Sequence, residues 1–496
     1  MYIRTQWTKK IPGGVSALTK ALLRQLFIEQ RVSEGVRLAI DGTVYLVRVR
    51  FGNLLGDEEA LSAMWPTKGA SGILPCGVGC HVTNKAPPTD TSRGIAPLAA
   101  RDDGLAGLTC ADLGKLGLKT NRDVWSICDM LSATRKEDLA SLEHETGLRY
   151  EPEGVLFDRS LRDHIHPATS NTYDVMHICW SGGIVPQEMA LCMATLRDEV
   201  HAYFGDLRDF LTQEGWPISE CFKEQRVGAM TNSVRGGATE IMEAYPLMRR
   251  FIISLYGAEP CAPHVVSFLL LGKVLDALVS WQRHVPSTAD LQELVSCYLQ
   301  AFEIAYDPSH ARPKHHMLLH LPLQIARDGL LLSCFALERK HLDTKASVTH
   351  SKSKQSIEET ALSRCLNHQV RKLKAPGWAT HLVGPTRPFP ELAEPLGATH
   401  VHISGGMRWR GVTIKSQAVG FLDANHSVLV LVVGCLQVDQ RWALLGRRAA
   451  LQRMEEYWST WRVEEQVGHI ALDDARCFLP TAHHRFLAGG FIEVLH

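Results

Sequence analysis

The stretch TYDVMHICWSGGIVPQEMA, residues 172–190, decides how the chain is divided. It sets an acid and a histidine three apart, Asp174 and His177, inside an apolar run, and a Ser-Gly-Gly turn follows at 181–183. A carboxylate among apolar residues is costly unless it is hydrogen-bonded, paired or bound to metal. Metal chemistry and ordinary hydrogen bonding in a buried corner both satisfy that demand. The stretch also marks a change of texture. From 186 to about 374 the apolar residues recur at three and four spacing, as in PQEMALCMATLRDEVHAYFGDLRDFL, which is a helical pattern.

Upstream the pattern alternates. Residues 15–30 read as a helix, and 36–55 (VRLAIDGTVYLVRVRFGNLL) read as one or two strands rich in Val and Tyr. A short helix follows at 57–65 with acids in its first turn, as the helix dipole favours. KGASGILPCGVGCHV, 68–82, is a Gly-rich loop bearing cysteines, and 83–110 reads as irregular. Downstream, 375–399 holds five prolines and reads as a linker or an extended wrap. Residues 400–496 carry short strands with Gly, Asn and Asp turns, which predicts a small β-barrel or sandwich. The expected division is therefore 1–185, 186–375, a linker at 376–399, and a β domain at 400–496.

With 496 residues, 45% of them hydrophobic and 21% charged, the chain can bury a large core. Its formal net charge of zero gives no global field to draw it to nucleic acid, so any such surface is local. The 13 cysteines are scattered, and the basic start MYIRTQWTKKIPGG lacks the apolar segment of a signal peptide. The apolar runs at 268–279 and 428–436 are shorter than the ~20 residues a membrane helix needs. A soluble, intracellular chain with no membrane partner is expected.

Four constellations could carry chemistry. The first is Asp174 with His177. The second is PKHHMLLHLPLQIARDGLLLSCFALERKHLDTK, 313–345, with His315, His316, His320 and then Glu338. Phe335, Glu338 and Leu342 share a helical face, so Glu338 is either an inward acid that needs a metal or partner, or a surface residue beside Arg339 and Lys340. The third is Cys76 and Cys80 with His81, with Cys110 or Cys128 as a fourth ligand: a tetrahedral Zn²⁺ knuckle, against plain buried thiols. The fourth is a basic run, Arg339, Lys340, Lys345, Lys352, Lys354, Arg371, Lys372 and Lys374, which suits a phosphate backbone or simply a solvated face.

These pieces occur in an order that resembles the transposases of CACTA-type (En/Spm-like) DNA transposons. GDEEALSAMWPTKGASGILPC (56–76), YDVMH (173–177), KHHMLLHLP (314–322) and FALERKH (335–341) carry the resemblance, which spans roughly 15–375. It implies an RNase H-like catalytic core interrupted by a large helical insertion. It implies two Mg²⁺ or Mn²⁺ ions held by acids, with Asp174 as the second carboxylate at a strand end and Glu338 as the third on a helix. His177 would buttress the aspartate or approach the scissile phosphate. On this reading the apolar run is a core strand, with its acid exposed at the strand's end for metal. DNA is the implied partner, with a homo-oligomer and a nuclear location. Two departures stand out. The strand that should bear the first carboxylate lies upstream of the chain's first helix, so an N-terminally truncated and inactive enzyme is expected; Asp41 and Asp57 are the only nearby acids. The knuckle spacing is also one residue longer than the family's Cys-x-x-Cys. A non-enzymatic DNA- or protein-binding module that keeps the same scaffold is the alternative.

Overall fold

The computed structural model describes residues 10–40, 43–69, 72, 74–80, 82, 107–223, 233–257, 261–280, 287–306, 308–335, 363–364, 366–367, 381–409, 412–422, 428–439, 441–454, 458–472, 479–480, 483–487 and 491–495. The fold is mixed α+β, with a C-terminal sheet. It opens with helix α1 (Gly14–Leu23), which runs into a wider π-turn at Arg24–Glu29. Strands β1 (Val36–Ile40) and β2 (Thr43–Val47) form an antiparallel hairpin. Strand β3 (Leu54–Gly56) leads into α2 (Glu58–Met64), which starts because the Asp57 side chain accepts from the Ala60 amide at 2.6 Å. Helix α3 (Asn121–Ala133) begins in a capping box between Thr120 and Asp123, and α4 (Lys136–Thr146) ends on Gly147 at φ 75°.

Strand β4 (Asn171–Tyr173) pairs with β3 in parallel, Leu54 opposite Asn171 and Gly56 opposite Tyr173. The strand expected in the apolar run is only the three residues of β4, and the residues after Asp174 form a short helix, α5 (Val175–Cys179). Asp174 supplies its N-cap, and capping bonds turn the backbone into a helix where side-chain pattern alone allowed either element. Helices α6 (Ile184–Val200), α7 (Phe204–Glu214), α8 (Ala238–Tyr256), α9 (Pro263–Ser280), α10 (Thr288–Ala305), α11 (Pro313–Leu318) and α12 (His320–Asp328) complete the helical part. One hydrophobic core runs continuously from Leu23 and Trp65 through Val185 and Leu196 to Phe302 and Ile325. The expected boundary at 185/186 is therefore not a packing boundary. Among the described residues, the strands before 186 form two separate pairs rather than one continuous sheet.

The C-terminal part is an 11-stranded antiparallel sheet. Its long strands β7 (Leu429–Val438) and β8 (Arg441–Met454) hold different neighbours along their two halves, which bends the sheet around separate apolar clusters. The sheet starts earlier than expected. His381–Pro388, inside the supposed linker, is strand β5, paired with β6 (Val401–Trp409). Prolines fit there because β5 is an edge strand and its register shifts between Val383 and Thr386, around Pro385. Phe389, Leu392 and Leu396 then pack against the sheet beside Val401 and Leu436. An Arg250–Glu493 ion pair at 3.5 Å joins this part to α8.

Candidate functional site

Two side-chain clusters meet near the β3–β4 pair. The first brings Cys76 and Cys80 to His316 and His320. The cysteines lie in a tight loop in which the Gly79 and Cys80 amides both donate to the Cys76 carbonyl, at 3.3 and 3.4 Å. Only glycine fits at 79, because a Cβ there would stand 2.6 Å from the Cys76 Sγ and 3.2 Å from the His320 ring. His316 and His320 are four apart across the α11–α12 junction and so face the same side. Their Nε2 atoms lie 3.0 Å apart. Cys80 Sγ is 3.0 Å from His316 Nε2, and Cys76 Sγ is 3.4 Å from His320 Nε2. All four donor atoms lie within 4.8 Å of one another.

Cys76, Cys80 and His316 are fully buried. The Cys80 thiol and the two imidazoles hold Cys76 well below the ordinary thiol range, and burial pushes His316 down. Buried His316 Nδ1 has no hydrogen-bond partner among the described residues. Two imidazole nitrogens and two sulfurs pointing at one another in a dry pocket satisfy each other poorly as hydrogen-bonding groups. They satisfy a tetrahedral cation well: metal–ligand bonds of 2.0–2.3 Å give ligand–ligand edges of about 3.3–3.8 Å. The cluster can therefore hold a metal ion. Around it, the Tyr173 hydroxyl sits 3.2 Å from Cys76 Sγ, and the fully packed Lys119 donates to the Gly77 carbonyl at 2.6 Å.

Both cysteines expected from the sequence are in the cluster, but the donors beside them are His316 and His320 rather than Cys110 or Cys128. Cys110 is half-buried with its thiol on the Asp112 carbonyl at 4.0 Å, and Cys128 is a buried thiol pushed up to about 12 by its apolar surroundings. Neither joins the four donors. His81 lies outside the described residues. His315, next to a ligand in sequence, does something else: it accepts the Arg312 amide at 3.1 Å, stacks near Phe302 and is driven down to about 3 by burial. The legible signal was the i, i+4 histidine pair on a helical pattern, His316 and His320.

The second cluster stands at the strand ends. Parallel register makes Asp57 and Asp174 equivalent, each the first residue past its strand. Asp174 is at a strand end, as expected, but it is not exposed for metal: it is 1% accessible. Its Oδ1 accepts the Cys334 amide at 2.8 Å and the Met176 amide at 3.2 Å, while Oδ2 accepts the His177 amide at 3.3 Å and bonds His177 Nδ1. These bonds fill the roughly four acceptor positions of a carboxylate. Against the opposing effect of burial, the His177 and Cys334 bonds hold the Asp174 carboxyl below its usual range. The Asp174 bond in turn raises His177. The other ring nitrogen, His177 Nε2, faces Asp57 Oδ2 at 3.9 Å, and the Asp57 side chain is 39% exposed. Lys314 closes the edge, donating to the Ser181 and Gly182 carbonyls at 3.1 and 2.9 Å. The solvent-facing carboxylate at this edge is thus Asp57, which the sequence reading had set aside.

Glu338 and the basic residues Arg339, Lys340, Lys345, Lys352, Lys354, Arg371, Lys372 and Lys374 lie outside the described residues. Among the described residues no helix is long and apolar enough to cross a membrane. No protein family, curated protein or solved structure matches the chain.

Proposed function

We propose that the chain is a transposase-derived DNA-binding protein, with metal-dependent DNA cleavage and strand transfer in its ancestry, organised around a structural Zn²⁺ held by Cys76, Cys80, His316 and His320. One observation carries this reading. Three of the stretches that resemble CACTA-type transposases, 56–76, 173–177 and 314–322, lie far apart in sequence yet converge on one spot, where Cys76 touches both Tyr173 and His320 and the His320 ring packs 5.2 Å from that of Tyr173. Chance motifs have no reason to be neighbours. The β3–β4 parallel pair, with an acid past each strand, supports a reduced RNase H-like core, and the run of helices from 184 onward supports a helical insertion before Glu338.

The donor set fits zinc, because two thiolates and two imidazoles neutralise the ion and complete a closed tetrahedron, which is a structural arrangement. The strand-end residues fit Mg²⁺ or Mn²⁺ less well. Asp174 has no free lone pair, so its role is to orient His177, and Asp57 is left as the accessible carboxylate. Two dications about 4 Å apart need several carboxylates, so the chain as given is expected to bind DNA through its basic run without cutting it. The saturated Asp174 is also what favours the second reading, a non-enzymatic DNA- or protein-binding module that kept the scaffold.

The test is metal analysis of the purified, reduced protein beside a salt series of DNA binding and a cleavage assay with Mg²⁺ or Mn²⁺. About one equivalent of zinc, with binding that weakens steeply in salt and shows little sequence preference, is expected. Absence of both zinc and DNA binding sinks the proposal.

A further inference from the structure

Lys119 is a lysine in an unusual place. Lysines almost never lie fully buried unless paired, and this one is 6% accessible. It is held at both ends. Its amide donates to the Gly79 carbonyl at 3.0 Å, and its ammonium donates to the Gly77 carbonyl at 2.6 Å. Those two glycines sit between Cys76 and Cys80, so one residue brackets the whole cysteine loop from outside. The next residue, Thr120, starts α3 in a capping box, which fixes the backbone from which Lys119 reaches. Among the described residues Lys119 makes no ion pair with a carboxylate. The acid within electrostatic reach, Asp123, spends its Oδ2 on the Thr120 amide and hydroxyl at 2.7 Å each. Burial pushes the ammonium down, and the sulfurs of Cys76 and Cys80 at the two ends of the loop oppose that electrostatically.

A buried ammonium is costly, and only fixed negative charge nearby repays it. The Cys76 sulfur, held well below the ordinary thiol range, supplies part of it, whereas Cys80 is raised by burial and by Cys76 and is a thiolate only with a cation bound. We propose that Lys119 is the positioning residue of the metal centre, clamping the 76–80 loop through the Gly77 and Gly79 carbonyls and setting a buried positive charge against the two sulfurs. This rests on the reading of Cys76, Cys80, His316 and His320 as metal ligands. Two effects follow. The sulfurs are held at the spacing in which they face the histidine nitrogens before any ion arrives, so binding requires little rearrangement. The ammonium also draws electron density away from the sulfurs, which moves their charge-transfer band but acts on affinity in the opposite direction to the clamp, and the clamp is the larger effect.

The experiment uses the full chain. Zinc content of the unaltered protein comes first, since a metal-free, folded protein removes the metal reading and this proposal with it. Affinity for Zn²⁺ is then measured by competition with a chromophoric chelator in the unaltered protein, Lys119→Met and Lys119→Arg, and each is loaded with Co²⁺ for its absorption spectrum. Lys119→Met keeps the apolar stem and removes the charge and its hydrogen bond. It should bind metal roughly 10–100-fold more weakly, the range typical of outer-shell partners, and its sulfur-to-cobalt band should move to longer wavelength as the sulfurs become more electron-rich. Lys119→Arg should bind more tightly than Lys119→Met and leave the band near its original place. Unchanged affinity and an unchanged band in folded Lys119→Met overturn the proposal while leaving the metal centre intact. If neither variant folds, hydrogen exchange on the unaltered protein decides. Stripping the metal should release protection in 115–121 together with 76–80, and protection that persists in 115–121 refutes the coupling.

Discussion

Replacing Glu188 with glutamine should remove a loss of stability that the helical part suffers as pH rises from about 4.5 to 7, by an amount the structure sets. Glu188 lies on α6 with no solvent exposure. Ser267 Oγ from α9 donates to it at 2.6 Å and the Tyr298 hydroxyl from α10 at 2.7 Å, and no cation pairs with it. Burial therefore dominates and lifts its carboxyl from 4.5 to about 7, against the two hydroxyl bonds. The sign follows from proton linkage. Below pH 4.5 the folded and unfolded chains are both protonated and nothing is lost. Between 4.5 and 7 the unfolded chain gives up its proton while the folded one keeps it, so stability falls as pH rises. Above 7 the loss is complete, at about 3 kcal/mol for that interval at ~1.4 kcal/mol per pH unit. Glutamine has nearly the same shape, can accept from one hydroxyl and donate to the other, and does not titrate. Urea unfolding of Glu188→Gln and the unaltered protein at pH 5 and pH 8, followed by hydrogen exchange in 184–200, 263–280 and 288–305, reads the difference. The variant should gain about 2–3 kcal/mol relative to the unaltered chain between the two pH values. A gap between the two proteins that is the same at pH 5 and pH 8 refutes the argument, since every other titrating group cancels in the comparison.

Three further outcomes are expected. Cys80→Ser and His316→Ala should each drop the metal content of the purified protein below about a tenth of an equivalent and lower its melting temperature; retention of a full equivalent in both would show that these donors do not hold it. Asp174→Asn should cost about 2–4 kcal/mol in urea unfolding, because its amide group would oppose donors already aimed at the carboxylate, whereas Asp57→Asn keeps a good helix cap and should cost less than about 1 kcal/mol; equal costs would contradict the burial difference. Finally, the chain should not cleave or join DNA with Mg²⁺ or Mn²⁺; metal-dependent cleavage that disappears in Asp57→Asn would mean that Asp57 supplies the missing ligand.

What was legible in the sequence was local. Helical periodicity from 186 to 328 and the short helix at 57–65 are consequences of residues a few positions apart, and they were read correctly. The misreadings are all non-local. Nothing near Asp174 reveals that a backbone amide from Cys334, 160 residues on, closes its last acceptor position. The β3–β4 pair is three residues long on each side, too short for an alternation to register. Cys110 and Cys128 were the near choices for a further donor, whereas the imidazole that reaches Cys80 lies 236 residues away. Pro385 and Pro388 spoke against a strand because proline breaks a ladder, and only the tertiary fold reveals that β5 has an edge position where the loss costs little.

The two clusters are mechanically one unit. His320 begins α12, and one turn later the Gln324 side chain reaches back to β4, where its Oε1 accepts the Tyr173 amide at 2.8 Å and its Nε2 donates to the Tyr173 carbonyl at 3.2 Å. Gln324 thereby does what another strand would do for that edge of β4, and it is itself buried. The residue after Tyr173 is Asp174, and three further on is His177, whose Nε2 faces Asp57. A metal on His316 and His320 therefore fixes the start of α12, α12 fixes the edge of a strand only three residues long, and that strand sets the position of the Asp174–His177 pair. A strand so short has few ladder bonds of its own to hold it, so its placement depends on the helix beside it. Metal binding in one cluster would then be linked to carboxylate geometry in the other through Gln324 and Tyr173.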